Sequence, residues 1–378
     1  MKKKGLKVSM IKKVMALVLA GLMLLATAAC SGNPEAPSST APQSVADAPT
    51  DAAPAESSST DETAVDPASY KGTVMLYSST GEDVIIALKE AFEAKYPNVT
   101  LDYYAATSGK CVTKLATEFQ SGTVACDIAW LADPSAMISL KSEDHLTKYE
   151  SPFAEGINDK FKDADGYYSG ARLLLMGMTF STMTSSDAEA PHNYDEVLND
   201  AFKGQIVLTD PTGSGSTKAL VYALTNHEKY GWEYFEKLKE LGAELQSSSG
   251  STNNGVASGA YKLAFGVDYN TKNLIAEGSP LGWHDTTDIV AVPCPIAIPE
   301  GAPHLDLAQL LYDFILDPNG GQTLLTQYNI TPIVDGLELP EGMMSATDVA
   351  EKALPIDWND LAKVSNELLD RFDAIFKG

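Results

Sequence analysis

Beyond residue 70 the apolar positions fall into short runs separated by amphipathic stretches of about a dozen residues, a pattern that predicts alternating strands and helices. Residues 73–77 read as a strand. Thr80 is the expected N-cap of the next helix, with Asp83 three positions on in a variant of the capping box. Val84, Leu88, Ala91, Phe92 and Lys95 form that helix's stripe, and Pro97 ends it. A second strand is expected over 100–104, a second helix over 109–119 and a third strand over 127–131. Alternation would point Tyr103 and Tyr104 to opposite faces, one into the core and one at the edge. Units of this kind imply parallel strands joined by crossovers. Ligands of such sheets sit beyond the carboxyl ends of the strands. Those ends are here Ser78, Ser79 and Thr80, then residues 105–109, then residues 130–133.

The pattern continues with a strand over 173–180, Arg172 lying just ahead of it, and a short helical segment over 194–198. A strand over 205–209 leads through a polar turn holding Ser214, Ser216 and Thr217 into a helix over 218–226. An amphipathic helix over 230–241, a strand over 263–267 and an extended, proline-rich return strand over 289–298 follow. Helices near 307–316 and 358–376 complete the chain. A third hydroxyl and amide cluster, residues 247–254 with Thr252 inside it, is expected ahead of a further helix. No internal repeat is visible.

The N-terminus is organised differently. Six lysines and no acidic residue occupy positions 1–13, and residues 14–29 are apolar or small. A basic segment, a short apolar segment and small residues before a cut mark a secretory signal. A short membrane anchor is the alternative, but 16 residues fall below the roughly 20 that span a bilayer. The run Thr27-Ala28-Ala29-Cys30 resembles the lipobox of bacterial lipoproteins, with Thr27 where leucine is usual. That resemblance implies a diacylglycerol thioether on Cys30; ordinary cleavage near Ala29 is the other reading. Residues 30–69 are Ser, Thr, Ala, Pro, Asp and Glu with almost nothing large and apolar, too little to offset the entropy of ordering. A disordered tether of this length reaches about 35 Å.

The net charge of −24 becomes about −30 once residues 1–29 are removed, which excludes nucleic acid and a bare anionic bilayer as partners. Cys111 and Cys126 flank a helix about 18 Å long, too far apart for a disulfide. With Cys294 they lack zinc-site spacing and read as small buried residues. The five histidines form no HExxH pair, and neither a GxSxG elbow nor a cysteine-protease signature occurs.

In this order the segments resemble the extracellular solute-binding proteins of bacterial ABC transporters, in the branch that takes ferric iron, 2-aminoethylphosphonate, phosphorylated sugars, thiamine and polyamines. The resemblance is carried by residues 74–80, 122–130, 165–168, 202–206 with Asp210-Pro211, 264–269, 278–281 and 314–322. It covers nearly all of 70–335. It implies an α/β, two-lobe periplasmic-binding-protein-like fold with parallel-rich sheets, a hinge of crossover strands and closure around the ligand. The expected organisation is a lipoprotein signal peptide over 1–29 and a tether over 30–69. Lobe 1 comprises 70–175 with 290–340, and lobe 2 comprises 176–289 with 341–378. It also implies a monomer delivering a small molecule to an ABC permease, held at the membrane by its lipid, with no enzymatic activity and no cofactor.

The candidate ligand-binding residues are Ser78, Ser79, Thr80, Arg172, Ser214, Ser216, Thr217, Thr252, Asp268 and Tyr269. Hydroxyls and free N–H groups at helix starts hold anions, although the same residues also serve as plain caps. The glycine-rich run 213–218 lacks the Gly-Lys-Ser/Thr order of a nucleotide loop. Arg172 reads as a guanidinium clamp or as a surface arginine beside a strand. Ferric-iron members carry adjacent tyrosines where this chain has Asp268-Tyr269, which weakens the iron reading. Asp268 suits a ligand that has a cationic amine as well as an anion. The expected solute is a phosphonate or phosphate ester such as 2-aminoethylphosphonate, with ferric iron the alternative and a secreted hydrolase the rival class.

Overall fold

The computed structural model describes residues 66–378. The signal segment, Cys30 and residues 30–65 of the expected tether lie outside the described residues. The last of the tether, Pro67–Ser69, forms a single 3-10 turn capped by Asp66 and bonded through Ala68 O to Asn98.

The chain starts with β1 (Gly72–Ser78), α1 (Glu82–Lys95), β2 (Val99–Ala105), α2 (Ser108–Ser121), β3 (Ile128–Trp130) and α3 (Pro134–Ser142). Both β2 and β3 pair with β1 in parallel. After β4 (Leu146–Thr147) comes the long strand β5 (Tyr168–Ser181) and the single turn α4 (Tyr194–Val197). A second set follows: β6 (Ile206–Thr209), α5 (Gly215–Thr225), α6 (Gly231–Glu240), β7 (Glu244–Gln246), α7 (Ser249–Ala257), β8 (Leu263–Val267) and α8 (Asp268–Ala276). Here β6 pairs in parallel with β7 and β8. The chain returns through β9 (Leu281–Pro299) and closes with α9 (Leu305–Leu316), α10 (Thr323–Gln327), α11 (Ala346–Lys352) and α12 (Trp358–Phe376).

The sheet order β2-β1-β3-β9-β5-β8-β6-β7 explains the two lobes. The parallel groups β2-β1-β3 and β8-β6-β7 are joined only through β5 and β9, which run antiparallel from Tyr168 opposite Ala297 to Ser181 opposite Leu281. Their register slips between Gly170 and Leu173 and again between Met176 and Gly177. Such irregularities bend a strand locally and increase its twist. β5 is buried along nearly its whole length, so a continuous apolar run was the right signal for it. α12 packs against α3 on one side of the molecule and against α5 and α6 on the other.

Several expectations change. α1 is capped by Gly81, not Thr80. The Thr80 N–H donates to Ser78 Oγ (3.1 Å), holding Thr80 in the turn ahead of the helix. Arg172 lies within β5, because Tyr168, Ser169 and Gly170 already pair with β9. The cluster 247–254 does not precede a helix but largely is one, since Ser248 and Ser251 close a reciprocal cap at the start of α7. Tyr103 and Tyr104 are both half-buried, because β2 is the edge strand and its cover thins toward its C-terminal end. Cys111, Cys126 and Cys294 are free and buried. Burial pushes the Cys111 thiol up to about 12 and the Cys294 thiol up to about 11, so neither is a reactive thiolate. Among the described residues no helix is long and apolar enough to cross a membrane.

Candidate functional site

The carboxyl ends of the parallel strands of both groups meet at one cleft of about 640 Å³. The first wall is made by the turns β1–α1, β2–α2 and β3–α3, and the second by β6–α5, β7–α7 and β8–α8. Five helix N-termini therefore converge on the cleft, those of α1, α2, α5, α7 and α8. Each leaves backbone N–H groups without an intrahelical partner and carries partial positive charge. α1, α2 and α8 have no side-chain cap, whereas α5 and α7 are capped by Ser214 and Ser248.

The two walls touch at both ends of the cleft. At one end the Gly81 N–H donates to the Tyr269 hydroxyl (3.3 Å), bringing α1 against α8. At the other the Gly109 N–H donates to the Gly213 carbonyl (3.2 Å), bringing α2 against the β6–α5 turn. Behind these, Lys218 on α5 pairs with Asp133, the cap of α3, at 2.8 Å, and both side chains are about nine-tenths buried. The fit there is close: a Cβ on Gly215 would lie 2.4 Å from the Ala132 carbonyl oxygen, so only glycine permits this approach. The Lys218 that ends the glycine-rich run 213–218 thus serves the contact between walls and does not enter the cleft.

The sequence-derived candidates divide. Ser79, Thr80, Ser214, Ser216 and Tyr269 line the cleft. Ser79 Oγ accepts the Ala132 N–H (2.9 Å), which leaves its proton free to donate to a ligand. Ser214 Oγ accepts from both the N–H and the hydroxyl of Thr217, and shares a third bond with Ser216 (3.1 Å). Its neighbour Ser216 is the one of this pair with spare capacity. The Thr80 hydroxyl is buried at the cleft with no protein partner.

The other five lie behind the walls. Ser78 Oγ donates to the Trp130 carbonyl and accepts from Thr80, so its bonding is internal. Thr217 serves the α5 cap. Thr252 bonds Ser248 O and Thr209 Oγ1. Arg172 is 1% exposed, its guanidinium 5.0 Å from the Tyr269 ring centroid and 5.6 Å from that of Trp130, with Nε and Nη1 unpartnered. Arg172 itself is not among the lining residues; it lies beneath the Tyr269 ring, which is. Asp268 is equally buried, and burial pushes its carboxyl up to about 6. Its side chain faces inward, toward Lys272 and Arg172, while α8 turns Tyr269, Asn270, Asn273, Leu274 and Glu277 to the cleft. Asp268 is not among the residues that line the cleft.

Residues not foreseen from sequence complete the site. Asn253 is 1% exposed, lines the cleft and has an Nδ2 without a partner. Unsatisfied buried donors are costly, and this Nδ2 has no protein acceptor. Its signal was present in the 247–254 cluster, but its direction depends on the phase of α7. Asn253, one residue past Thr252, is rotated by about 100° around the helix. Glu82, Asp83 and Glu277 also line the cleft and are exposed. Among the described residues no three His, Cys, Asp or Glu side chains gather into a metal-holding group.

The fold is shared with known proteins. A family model described as bacterial extracellular solute-binding protein matches residues 124–364. No curated protein matches by sequence. Among solved structures, the periplasmic binding protein AfuA from Actinobacillus pleuropneumoniae, with fructose-6-phosphate bound, superposes with a TM-score of 0.72 at 20% identity, covering 82% of this chain and 99% of that one. Iron-bound HitA from Pseudomonas aeruginosa gives 0.69 at 17% identity, covering 80% and 99%. The substrate-binding protein of an ABC transporter from Agrobacterium tumefaciens gives 0.73 at 15%, covering 81% and 94%.

Proposed function

The chain belongs to the family of bacterial extracellular solute-binding proteins, and on that premise we propose that its cleft captures a small anionic solute, a phosphonate or phosphate ester. Proteins of this family work outside the cytoplasm, bind small ligands and deliver them to ABC permeases. The anion reading rests on Asn253, whose unpartnered Nδ2 is buried at a cleft onto which five helix N-termini open. Ser79 and Ser216 add hydroxyl donors, and among the described residues the buried Arg172 supplies the only guanidinium near the site. Helix N-termini and oriented donors of this kind favour phosphate-like groups. Binding, not catalysis, is the proposed activity.

The lobe boundaries follow from the same reading. The proposed hinge lies in β5 and β9 near Met176 and Val290, at the second register slip. Closure brings Gly109 to Gly213 and Lys218 to Asp133. Cys30 carries the proposed lipid anchor, which keeps the trap near its permease; mass spectrometry of the membrane-extracted protein should show a diacylglycerol adduct that Cys30→Ser lacks.

Thermal-shift and calorimetric titration of the chain from residue 31 onward tests the ligand class. Phosphonates or phosphate esters should raise the melting temperature in proportion to RT ln(1 + [L]/Kd). Stabilisation by ferric iron, thiamine or polyamines with no response to any phosphorus anion would overturn the proposal.

A further inference from the structure

The far end of α12 reaches a turn of the cleft. The first turn of this helix is tied to α5, where the Tyr222 hydroxyl donates to Asp360 (2.7 Å). Its last turn is tied to α6, where Lys239 Nζ donates to the Phe376 carbonyl (2.6 Å) and Phe235 packs edge-on against Phe372. A cation at a helix C-terminus is also favoured by the dipole. Held at both ends, α12 delivers Lys377, the residue that follows it, to the start of the β6–α5 turn. There Lys377 Nζ pairs with Asp210 Oδ2 at 2.9 Å and with Asp373 Oδ1 of α12 itself at 2.8 Å. Among the described residues, the pair with Asp210 is the one ion pair that joins α12 or Lys377 to another element.

Asp210 organises the turn. Its Oδ1 accepts the Thr212 N–H (2.9 Å), and its carbonyl accepts the N–H groups of Gly213 (3.2 Å) and Ser214 (3.1 Å). Its own N–H donates to the Gln246 carbonyl of β7 (2.8 Å), which leaves Oδ2 for Lys377. Burial alone would raise this carboxyl, but Lys377 and Thr212 outweigh it and hold the group below the usual carboxylate range. The turn then places two things at the cleft. Ser214, with Ser216 bonded to it, starts α5, and the Gly213 carbonyl takes the Gly109 N–H from the opposite wall. Its tolerance is small. A Cβ on Gly109 would lie 2.8 Å from the Thr212 carbonyl oxygen, so the turn has no room to advance on α2, and retreat stretches a hydrogen bond that is already 3.2 Å long.

We propose that Lys377 is a positioning residue for solute binding, which acts through Asp210 to fix the turn 210–214 and with it the Ser214–Ser216 pair and the Gly213 contact between the walls. α12 is thus a brace that holds the second wall in its binding geometry from outside the cleft. This rests on the cleft being the solute site, as proposed above, but not on the solute being an anion. The pair adds little to global stability, because its side chains are 41% and 25% exposed. Its effect is local, on the turn.

Hydrogen exchange of the ligand-free protein, read by mass spectrometry, tests the turn directly. In Lys377→Met, peptides that contain Thr212, Gly213 and Ser214, and the peptide that contains Gly109, should exchange about threefold faster. β1 and β8 should keep their wild-type exchange, and the unfolding midpoint should hardly move. Lys377→Arg, which keeps the pair, should behave as wild type. Adding Lys377→Met to Asp210→Asn should change nothing further. Lys352→Met breaks an exposed pair with Asp348 at the same cost in charge, so it controls for the lost positive charge and should leave the turn unchanged. Calorimetry with methylphosphonate should show affinity lower by about three- to fivefold in Lys377→Met and in Asp210→Asn, and unchanged in Lys377→Arg and Lys352→Met. Unchanged exchange over the turn in Lys377→Met overturns the proposal, as does a full effect of that substitution in the Asp210→Asn background. Faster exchange with no loss of affinity overturns it too. Failure of methylphosphonate to bind the wild type counts against the ligand class proposed above, while the exchange results still decide the role of Lys377.

Discussion

The two walls of the cleft are built from the same strand–turn–helix unit and yet present different chemistry. β1–α1, β2–α2 and β3–α3 offer backbone N–H groups, the hydroxyls of Ser79 and Thr80 and the exposed carboxylates of Glu82 and Asp83. β6–α5, β7–α7 and β8–α8 offer side-chain donors: Ser216, Asn253, Tyr269 and Asn270. Main-chain donors are supplied by any sequence that keeps the turn, whereas side-chain donors change with one substitution. The first wall should therefore give general affinity and the second the discrimination between anions. The charges differ too: the first wall carries Glu82 and Asp83 at its surface, while the second has Glu277 at its surface and Arg172 and Asp268 buried beneath it.

The largest effect should come from cutting the link between the walls. Lys218→Met leaves Asp133, which still caps α3, without its counter-charge in a site that is about nine-tenths buried. Removing one partner of a buried pair costs about 3–5 kcal/mol. Urea unfolding should show this loss, and Lys218→Met with Asp133→Asn should recover much of it. A loss below about 1 kcal/mol would mean that the walls are held chiefly by the Gly109–Gly213 contact and the fit at Gly215, and that the pair is incidental.

A somewhat smaller effect should come from the charge buried under the second wall. Desolvation raises the Asp268 carboxyl to about 6, while Lys272, the backbone N–H groups of Tyr269 and Leu175, and Arg172 pull the other way. The fold thus holds this proton more tightly than the unfolded chain, whose value is near 3.8. The stability contributed by neutral Asp268 is complete below about pH 4 and is lost as the pH rises through 6, by about 3 kcal/mol in all. Asp268→Asn cannot ionise, so its stability relative to the wild type should climb by that amount between pH 4 and pH 7. A difference that stays flat would mean that Arg172 compensates the carboxylate fully, and the contrast between surface and buried charge would then weaken.

The division of the chain into strands and helices was legible wherever an apolar run or stripe was long. β1, β8 and α12 stand within a residue or two of where periodicity puts them, as expected of elements with one buried face or two. α3 and α8 were not legible. α8 reads Asp-Tyr-Asn-Thr-Lys-Asn-Leu-Ile-Ala, and its polar stripe lines the cleft while its apolar residues are few, so no periodic signal arises. The first half of β9 was missed for a similar reason, because its exposed residues around Asp285 resemble a loop until β5 pairs with them. The candidate site was legible as a set of turns, since strand ends and helix starts follow from the element order. Which side chain of each turn faces the cleft was not, because that depends on helix phase and on which hydroxyls the caps consume. Ser78, Thr217 and Thr252 are consumed in this way; Asn253 is not.

That difference supports the last prediction, which compares one donor from each wall. Asn253→Ala removes a buried amide with no protein partner, so nothing in the fold depends on its hydrogen bond and the unfolding midpoint should hardly move. If the amide meets the ligand anion, affinity should fall by tenfold or more, corresponding to at least about 1.4 kcal/mol for a bond to a charged group. Ser79→Ala also removes one donor, but it leaves the neighbouring main-chain N–H groups of α1 and α2 in place to share the load, so a loss of only about two- to threefold is expected. Calorimetry with one phosphonate on both variants measures the ratio. A larger loss at Ser79 than at Asn253 would reverse the division of labour and make the first wall the selective one.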